Sequence, residues 1–440
     1  MEPFHLLSAT DIAVGVASGN LSVSGMARAM LERVDSLDGA LNAWVSVDRE
    51  RVLAQALALD DEARSGALRG PLHGVAVAIK DIYDVAGMPT RAGSRVLANV
   101  APAERDSAPV ARLRRAGALI AGKTATTEFA SADPAATTNP WNAGHTPGGS
   151  SSGSAAAVAA GMIPVAMGSQ TGGSILRPAA FCGIVGFKPS FGRVPCQGVL
   201  PFAWSLDTMG PLTRTVADAA LVFRVLAGAA TPPPGAAVAA PRIGHVPSVL
   251  ADRLDPRMHE MLASAANRLG TAGAAVEETL LPPDFAAALN AHHLTMIAEA
   301  AAFHAHTFPG KTALYGPRIR GLVEAGALVP AASYLQAQRV RRDLFERLAP
   351  LLTTYDALLV PAAAGPAPET LESTGDPAFN APWTMLGLPA IALYGGVDVD
   401  GMPLGLQLVG RAGGDEALLQ TAAWCEQALG TAPRPPAPFN

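Results

Sequence analysis

Short apolar runs alternate with helical segments in the first half of the chain. The segment from His73 to Lys80 (HGVAVAIK) is a branched apolar run of strand length that ends in a charge. A helical segment begins near Asp106, and a second apolar run follows from Ala118 to Ala121. Because each run must bury its apolar surface against a neighbouring layer, the alternation predicts an α/β fold in which helices pack on a sheet.

The remaining segments extend this pattern. Residues 8–68 carry helix signals, with Ser22 as a cap and Gly66 as a stop, so residues 1–68 are predicted to form an N-terminal helical layer. A Pro- and Ala-rich connection follows residue 227, and residues 228–352 are mostly helical in pattern. Strand signals return in residues 353–430, so the sheet is predicted to collect strands from both halves of the chain.

Composition excludes two classes of partner. The 440 residues include 32 Lys and Arg against 37 Asp and Glu, without the basic stripe that tracks nucleic acid. The longest apolar stretch, from Ala155 to Gly168, is broken by Gly161 and Pro164 and is too short to cross a membrane. The first residues do not read as a signal peptide, and three cysteines without metal spacing fit a reducing compartment, so we expect a cytoplasmic protein.

One motif is misleading. The segment from Gly117 to Thr124 (GALIAGKT) matches the phosphate-loop pattern G-x-x-x-x-G-K-[ST]. In a phosphate loop the strand precedes the first glycine, and the intervening residues form an open turn. Here the intervening residues are themselves the predicted strand, so their amides are used in a sheet. We therefore predict no nucleotide site at this position.

Two Gly-Ser segments carry the functional signal: GGSSSGS (148–154) and SQTGGS (169–174). The first leads into an Ala-rich helix, with Ser152 or Ser154 as the predicted cap and Gly161 as the stop, so it is not a flexible linker. Consecutive backbone amides in the second segment can point at a developing negative oxygen, as in an oxyanion hole.

A serine nucleophile needs a base, and the histidines do not offer an obvious one. None of the nine lies in a nucleophile-elbow context. His304 and His306 lack a further ligand at metal spacing, and His73 and His145 are only weak candidates for substrate contact. Lys80 remains, because a lysine at the end of an apolar strand can be neutral when burial lowers its pKa.

The sequence resembles the amidase signature family. The resemblance covers the chain except the stretch from about 228 to 352, and its motifs are VAIKD, AGKTATTEFA, TTNPWN, PGGSSSGSAAAVAAG, QTGGSILRPAAFCGIVGFKPSFGR, SLDTMGPLTRTVADAALV, FNAPWTMLGLPAI and GMPLGLQLVGRAGGDEALL. It implies one large domain of residues 1–440, with a central mixed β-sheet covered by helices on both faces. Within it, 69–227 would be the catalytic core, 228–352 a substrate-side insertion, and 353–430 the segment that completes the sheet.

The resemblance also implies site residues. Ser174 would be the nucleophile, Ser150, 24 positions upstream, the proton relay on a cis Gly149–Ser150 bond, and Lys80 the general base. The implied oxyanion hole consists of the amides of Thr171, Gly172, Gly173 and Ser174. The implied reaction is hydrolysis of a carboxamide through an acyl-enzyme, without a metal or organic cofactor.

This chain departs from the family pattern at two positions. The family usually has Asp where this chain has Gln170, and often Arg where it has Leu176, with Arg177 following. Gln can hydrogen-bond the loop but contributes no charge. Glu128 and Asp207 are interpreted as structural acids that bind backbone amides.

Two functions remain open from the sequence. The first is a stand-alone amidase whose substrate is a small-molecule amide. For it we predict an apolar or aromatic acyl pocket formed by Trp204, Phe379, Trp383 and Met385, which lie in segments that approach the site in relatives. The alternative is the glutaminase (A) subunit of a tRNA-dependent amidotransferase. A homodimer is compatible with the sequence, which does not fix the oligomeric state.

Overall fold

The sheet is built from eleven strands of the described chain. The computed structural model describes residues 3–131, 133–229, 239–247, 250–430, 435–436 and 439. The strands are β1 (Trp44–Ser46), β2 (Ala76–Lys80), β3 (Leu119–Thr124), β4 (Val165–Gln170), β5 (Val185–Lys188), β6 (Thr208–Thr213), β7 (Arg242–His245), β8 (Ala275–Glu278), β9 (Ala357–Pro361), β10 (Ala390–Val397) and β11 (Pro403–Val409).

These strands form one mixed sheet. Their order is β1-β3-β2-β4-β6-β5-β10-β11-β9-β7-β8. β2 pairs in parallel with both β3 and β4, and β6 runs antiparallel to β4 and β5. Strands from the C-terminal part, β10, β11 and β9, follow β5, so the sheet does collect strands from both halves of the chain as predicted.

The described helices cover both faces of the sheet. They are α1 (Ala9–Ala17), α2 (Val23–Leu41), α3 (Arg49–Arg64), α4 (Ala108–Arg115), α5 (Ser152–Ala159), α6 (Leu176–Cys182), α7 (Val216–Ala227), α8 (Pro256–Thr271), α9 (Ala287–Thr307), α10 (Pro317–Gly326), α11 (Ala331–Thr354), α12 (Ala381–Met385) and α13 (Asp415–Leu429). Short 3₁₀ turns span Phe4–Leu6, Arg95–Leu97, Glu128–Ala130, Ala251–Arg253 and Thr312–Leu314. The α/β class with a central mixed sheet is therefore confirmed.

The central strands are apolar on both faces because helices cover both. Every residue of β2, β3 and β4 is buried. α5 packs on β4 and α6 packs on β5, β10 and β11, while α7 and α13 contact each other and pack on β6 and β10 respectively. This arrangement explains why these strands read as continuous apolar runs rather than as alternating ones.

Helix boundaries agree with several sequence signals and differ from others. The Ser22 side chain accepts a hydrogen bond from the Gly25 amide at the start of α2, as predicted. α4 begins after Ser107 rather than at a cap formed by Asp106, whose carboxylate accepts from the Ala86 amide and pairs with Arg114. Asp106 thus connects two segments instead of capping one helix.

The predicted N-cap of α5 is wrong, and its predicted stop is confirmed. The N-cap residue is Ser151, without a side-chain cap; α5 ends at Ala159, and Gly161 terminates it with a left-handed φ of 65° and an amide that donates to the Val158 carbonyl. Ser152 donates to the Gly148 carbonyl, and Ser154 donates to the Met167 carbonyl. Because α5 is buried along its whole length, its serine hydroxyls serve packed neighbours rather than the helix end.

The phosphate-loop look-alike and the lengths of the helices bear on two further predictions. The phosphate-loop look-alike forms β3, and Lys123 within it makes a buried ion pair with Asp81 at 2.7 Å. The strand interpretation of that segment is confirmed. Among the described residues, no helix is both long and apolar enough to cross a membrane.

Candidate active site

Lys80 lies at the end of β2 with its side chain 0% exposed. Its Nζ atom is 2.7 Å from Ser150 Oγ and 2.8 Å from Ser169 Oγ. Burial lowers the pKa of Lys80 well below its ordinary value, and the negative charge of Asp207 opposes this effect. A lysine in this setting can hold a neutral amine that accepts a proton from a neighbouring hydroxyl.

Ser150 follows a cis peptide bond, Gly149–Ser150, as the resemblance implies. Its carbonyl accepts a hydrogen bond from the Thr127 amide, and the Gly149 carbonyl accepts one from the Arg177 guanidinium. A Cβ atom at Gly149 would lie 2.7 Å from Thr374 Cγ2. The serine is therefore held by backbone contacts on both sides of the peptide, in a space that fits glycine.

Ser174 lies in the turn that connects β4 to α6, and its side chain is 8% exposed. Among the described residues, no hydrogen bond holds its hydroxyl. Ser150 and Ser169, in contrast, are fixed by Lys80. Of these three serines, Ser174 is the most accessible and the least restrained.

In residues 172–174 of this turn, the backbone amides are free and the carbonyls of Gly172 and Gly173 are occupied. The Gly172 carbonyl accepts from the Thr384 hydroxyl at 2.8 Å, and the Gly173 carbonyl accepts from the Arg177 amide. Within the described part of the chain, the amides of Gly172, Gly173 and Ser174 have no acceptor. Adjacent free N–H groups at the start of a helix are suited to bind a negative oxygen.

Asp207 fixes the first residue of the turn. Its carboxylate accepts from the Thr171 hydroxyl at 2.5 Å and from the amides of Phe202 and Ala203 at 2.8 and 3.1 Å. Burial raises the pKa of Asp207 to about 6 despite these hydrogen bonds. The interpretation of Asp207 as an acid that binds backbone amides agrees with this geometry, and the charge it places near Lys80 is an additional role.

His292 is a site neighbour that sequence reasoning missed. Its Nε2 atom lies 2.8 Å from the Thr171 carbonyl oxygen, so this nitrogen carries the proton and donates. Burial lowers the pKa of His292 to about 4, which keeps the ring neutral at pH 7. α9 carries four histidines in an Ala-rich sequence, and nothing in that pattern distinguishes His292 as the one that contacts Thr171.

The histidines named from the sequence lie elsewhere. His73 bonds the Leu59 carbonyl, His145 bonds the Ala367 carbonyl, and His304 bonds the Tyr315 hydroxyl inside a cluster of aromatic rings. His306 is exposed. Within the described residues, no three His, Cys, Asp or Glu side chains are grouped to hold a metal ion.

Glu128 binds a backbone amide, as interpreted from the sequence. Its carboxylate accepts from the Ser94 hydroxyl at 2.6 Å and from the Gly316 amide at 2.7 Å. The second contact ties this loop, which carries Thr127, to the start of α10. Glu128 therefore connects the loop that follows β3 to α10, which comes directly after the helix that contains His292, α9.

The predicted acyl-pocket residues differ in exposure. Trp204 is 52% exposed and is available to a ligand. Phe379, Trp383 and Met385 are fully buried: Trp383 stacks on Phe285 at 4.8 Å, and Met385 packs with Ala203, Leu206, Ala291 and Ala337. Direct substrate contact by these three is therefore not supported, because their surfaces are covered by protein atoms.

The fold and the sequence comparison together define the class of protein to which this chain belongs. Residues 26–419 match the family model described as Amidase. The chain belongs to the amidase family, whose members are hydrolases acting on C–N bonds.

Individual relatives cover nearly the whole chain. The A subunit of the glutamyl-tRNA(Gln) amidotransferase of Anaeromyxobacter sp. (strain K) is 35% identical over 484 aligned positions, which cover 98% of each chain. The native peptide amidase of Stenotrophomonas maltophilia is 32% identical with a TM-score of 0.84, covering 98% of this chain and 99% of that one. A crystal structure of an amidase is 34% identical with a TM-score of 0.89, covering 96% and 100%.

Proposed function

We propose that this chain hydrolyses a small-molecule carboxamide to a carboxylic acid and ammonia or an amine. Lys80 is the general base, Ser150 the proton relay and Ser174 the nucleophile. The observation that carries the proposal is the 2.7 Å contact between Lys80 Nζ and Ser150 Oγ. It is a buried base and hydroxyl pair that lies beside a turn whose amides are free.

Acylation balances with these groups alone. Neutral Lys80 takes the Ser150 proton while Ser150 takes the Ser174 proton, and Ser174 Oγ forms a bond to the amide carbon. The oxyanion that develops is bound by the free amides of the turn, with the Thr171 amide as the fourth donor that the family pattern implies. The C–N bond then breaks, and the proton held by Lys80 returns through Ser150 to the leaving nitrogen.

Deacylation repeats the relay with water. A water molecule loses its proton through Ser150 to Lys80 and attacks the acyl carbon. The Ser174–carbon bond then breaks, the proton held by Lys80 returns through Ser150 to Ser174 Oγ, and the acid is released. Each cycle consumes one water and one amide and restores neutral Lys80. No step requires a metal or an organic cofactor, so treatment with EDTA is expected to leave turnover unchanged.

The alternative is a glutaminase component that passes ammonia to a partner. It is favoured by the 35% identity to the A subunit of an amidotransferase over nearly the full chain. Trp204, exposed near the Asp207 carboxylate network, favours instead an apolar or aromatic acyl group. Both functions use the same serine and lysine chemistry, so they differ in substrate and partner rather than in mechanism.

An ammonia-release screen with the purified chain separates the two. The panel contains aryl amides, short aliphatic amides and glutamine, with Ser174→Ala as the control. Hydrolysis by the chain alone, lost in Ser174→Ala, supports the stand-alone amidase. Glutamine hydrolysis that requires added amidotransferase partner subunits supports the alternative, and wild-type turnover by Ser174→Ala contradicts the nucleophile assignment.

A further inference from the structure

The Gln170 side chain uses both of its polar atoms to hold the turn between β4 and α6. Oε1 accepts from the amides of Ile175 and Leu176 at 2.9 and 3.0 Å. Nε2 donates to Thr384 Oγ1 at 2.9 Å. Gln170 is fully buried at the end of β4, so one side chain spans the turn that carries Ser174 and connects it to α12.

Thr384, which accepts from Gln170, also contacts the backbone of the turn. Its Oγ1 lies 2.8 Å from the Gly172 carbonyl oxygen and 3.2 Å from the Asn380 carbonyl oxygen. A hydroxyl has one proton, and the shorter of the two distances indicates that Thr384 donates to Gly172. The result is two consecutive hydrogen bonds: Gln170 Nε2 donates to Thr384 Oγ1, and Thr384 Oγ1 donates to the Gly172 carbonyl.

This series of hydrogen bonds determines the direction in which the Gly173 N–H points. In a trans peptide the C=O of one residue and the N–H of the next point in opposite directions across a rigid plane. Fixing the Gly172 carbonyl toward α12 therefore fixes the Gly173 N–H away from it. That N–H is one of the free donors of the turn.

The two departures from the family pattern each remove a charge, one negative and one positive. The resemblance implies an acid at 170 and often a base at 176, and this chain has Gln170 and a fully buried Leu176. Arg177, the next residue, donates instead to the Gly149 carbonyl and the Thr374 hydroxyl. A carboxylate at 170 would be buried and could not donate to Thr384.

We propose that Gln170 and Thr384 are positioning residues for amide hydrolysis, a neutral pair that aims the Gly173 N–H at the oxyanion without placing a charge near Lys80. The proposal rests on the proposed function, because it concerns the turn that carries Ser174. Asp207 is the carboxylate, among the residues that the structure describes, whose charge raises the pKa of Lys80, and Gln170 adds no second one.

Thr384→Val and Thr384→Ser test the hydroxyl, since valine keeps the shape and serine keeps the donor. Weakening one oxyanion donor is expected to lower kcat by about 10- to 100-fold in Thr384→Val, with KM changed by less than about threefold. Thr384→Ser is expected to recover at least about half of the wild-type kcat. Equal losses in both variants, or wild-type kcat in Thr384→Val, would overturn the proposal.

Gln170→Met and the double variant Gln170→Met/Thr384→Val test whether the pair acts as a unit. Gln170 Nε2 acts on the Gly172 carbonyl through Thr384, and the Oε1 contacts are lost equally in Gln170→Met and in the double variant. The double variant is therefore expected to lose no more than about twofold beyond the worse single variant. Losses that multiply would show independent roles and contradict the proposal. Gln170→Glu is expected to move the acid limb of the rate profile to higher pH, because a second carboxylate favours charged Lys80.

A measurement that needs no substrate separates this inference from the proposed function. Phenylmethanesulfonyl fluoride sulfonylates an activated serine, and inactivation of each variant can be followed by mass spectrometry. Labelling of wild type, lost in Ser174→Ala and at least about tenfold slower in Thr384→Val than in Thr384→Ser, supports the inference. Labelling at the wild-type rate in Thr384→Val would contradict the positioning role of Thr384 and leave the proposed function intact. Absence of Ser174 labelling in wild type would count against the proposed function.

Discussion

Lys80 Nζ and Ser150 Oγ lie 2.7 Å apart, and both side chains are buried. A second lysine on the neighbouring strand β3, Lys123, is equally buried but is paired with Asp81 at 2.7 Å. The two lysines stand at equivalent depth with different partners: hydroxyls for Lys80 and a carboxylate for Lys123. Their replacement should therefore have opposite consequences for activity and stability.

Lys80→Met is expected to lower kcat by about 100- to 10,000-fold, because the base is lost. Its melting temperature should remain near or above that of wild type, because burying an amine is costly and methionine removes that cost. Turnover and thermal unfolding of the purified variant check this. A Lys80→Met protein that unfolds far below wild type would show that the amine has mainly a structural role.

Lys123→Met is the matched variant and should behave in the opposite way. It leaves Asp81 buried without its cation, which is expected to cost about 3–5 kcal/mol of unfolding free energy. Protein that remains folded should keep a kcat close to wild type, since Lys123 contacts Pro89 and Thr90 rather than the site serines. Urea denaturation measures the first effect, and turnover normalised to folded protein measures the second.

Asp207→Asn should change the pH dependence of the reaction. The Asp207 charge raises the pKa of Lys80, and Asp207 itself, with a pKa of about 6, is ionised at pH 7. Removing that charge lowers the pKa of Lys80, so the neutral base persists to lower pH. The acid limb of kcat/KM against pH is expected to move down.

In the Asp207→Asn experiment, the informative quantity is the pH at which the acid limb of kcat/KM falls, and not the maximum value of kcat/KM. Asp207→Asn also alters the hydrogen bond to Thr171, which can lower the rate at every pH without moving the limb. A limb that stays in place or moves to higher pH would contradict an electrostatic effect of Asp207 on Lys80.

His292 predicts a pH dependence of stability. Its pKa is about 4 in the folded protein and about 6.5 when unfolded, so its contribution is complete above pH 6.5 and is lost as the pH falls towards 4. At pH 5 the loss is about 2 kcal/mol. In His292→Gln, which keeps a donor for the Thr171 carbonyl, the difference in unfolding free energy between pH 7.5 and pH 5 should shrink by that amount.

His306→Gln is the matched control for this measurement. It removes an exposed imidazole from the same helix, α9, and should keep the wild-type difference between the two pH values. Urea titrations of the three proteins at both pH values give the comparison. An equal pH difference in His292→Gln and wild type would mean that the buried ring does not titrate differently on unfolding.

Gly153 predicts a steric limit inside α5. A Cβ atom there would lie 2.1 Å from the Ala43 carbonyl oxygen and 2.5 Å from the Ala125 amide nitrogen, both of which are backbone atoms. Gly153→Ala is therefore expected to cost several kcal/mol and to reduce activity, because α5 begins directly after Ser150 and Ser151. Thermal unfolding and turnover check this result.

Gly39→Ala provides the comparison, because Gly39 lies in α2 with no atom within 4 Å of the added carbon. Alanine there should stabilise the protein by about 0.5–1 kcal/mol, since it restricts the unfolded chain in a helical position. If both alanine variants had the same stability, the close approach of α5 to residues 43 and 125 would be wrong.

Local patterns predicted much of the fold and part of the site. The apolar run before Lys80 and the Gly-Ser segments identified the strand, the turn and the helix that meet at Ser150, because these depend on neighbouring residues. His292 could not be found in this way, since its contact with Thr171 depends on how α9 folds back over 121 positions. Trp383 shows a related limit, because an aromatic residue in a loop-rich segment reads the same whether it lines a pocket or packs on Phe285.

The strand order also has a consequence for synthesis. β5 pairs with β10, whose residues 390–397 leave the ribosome some 200 positions after those of β5. Until then β5 has β6 on one side and an open hydrogen-bonding edge on the other, which is a template for pairing with a second nascent chain. The central sheet can close only near the end of translation, so a truncation before residue 390 should yield aggregates rather than a smaller folded enzyme.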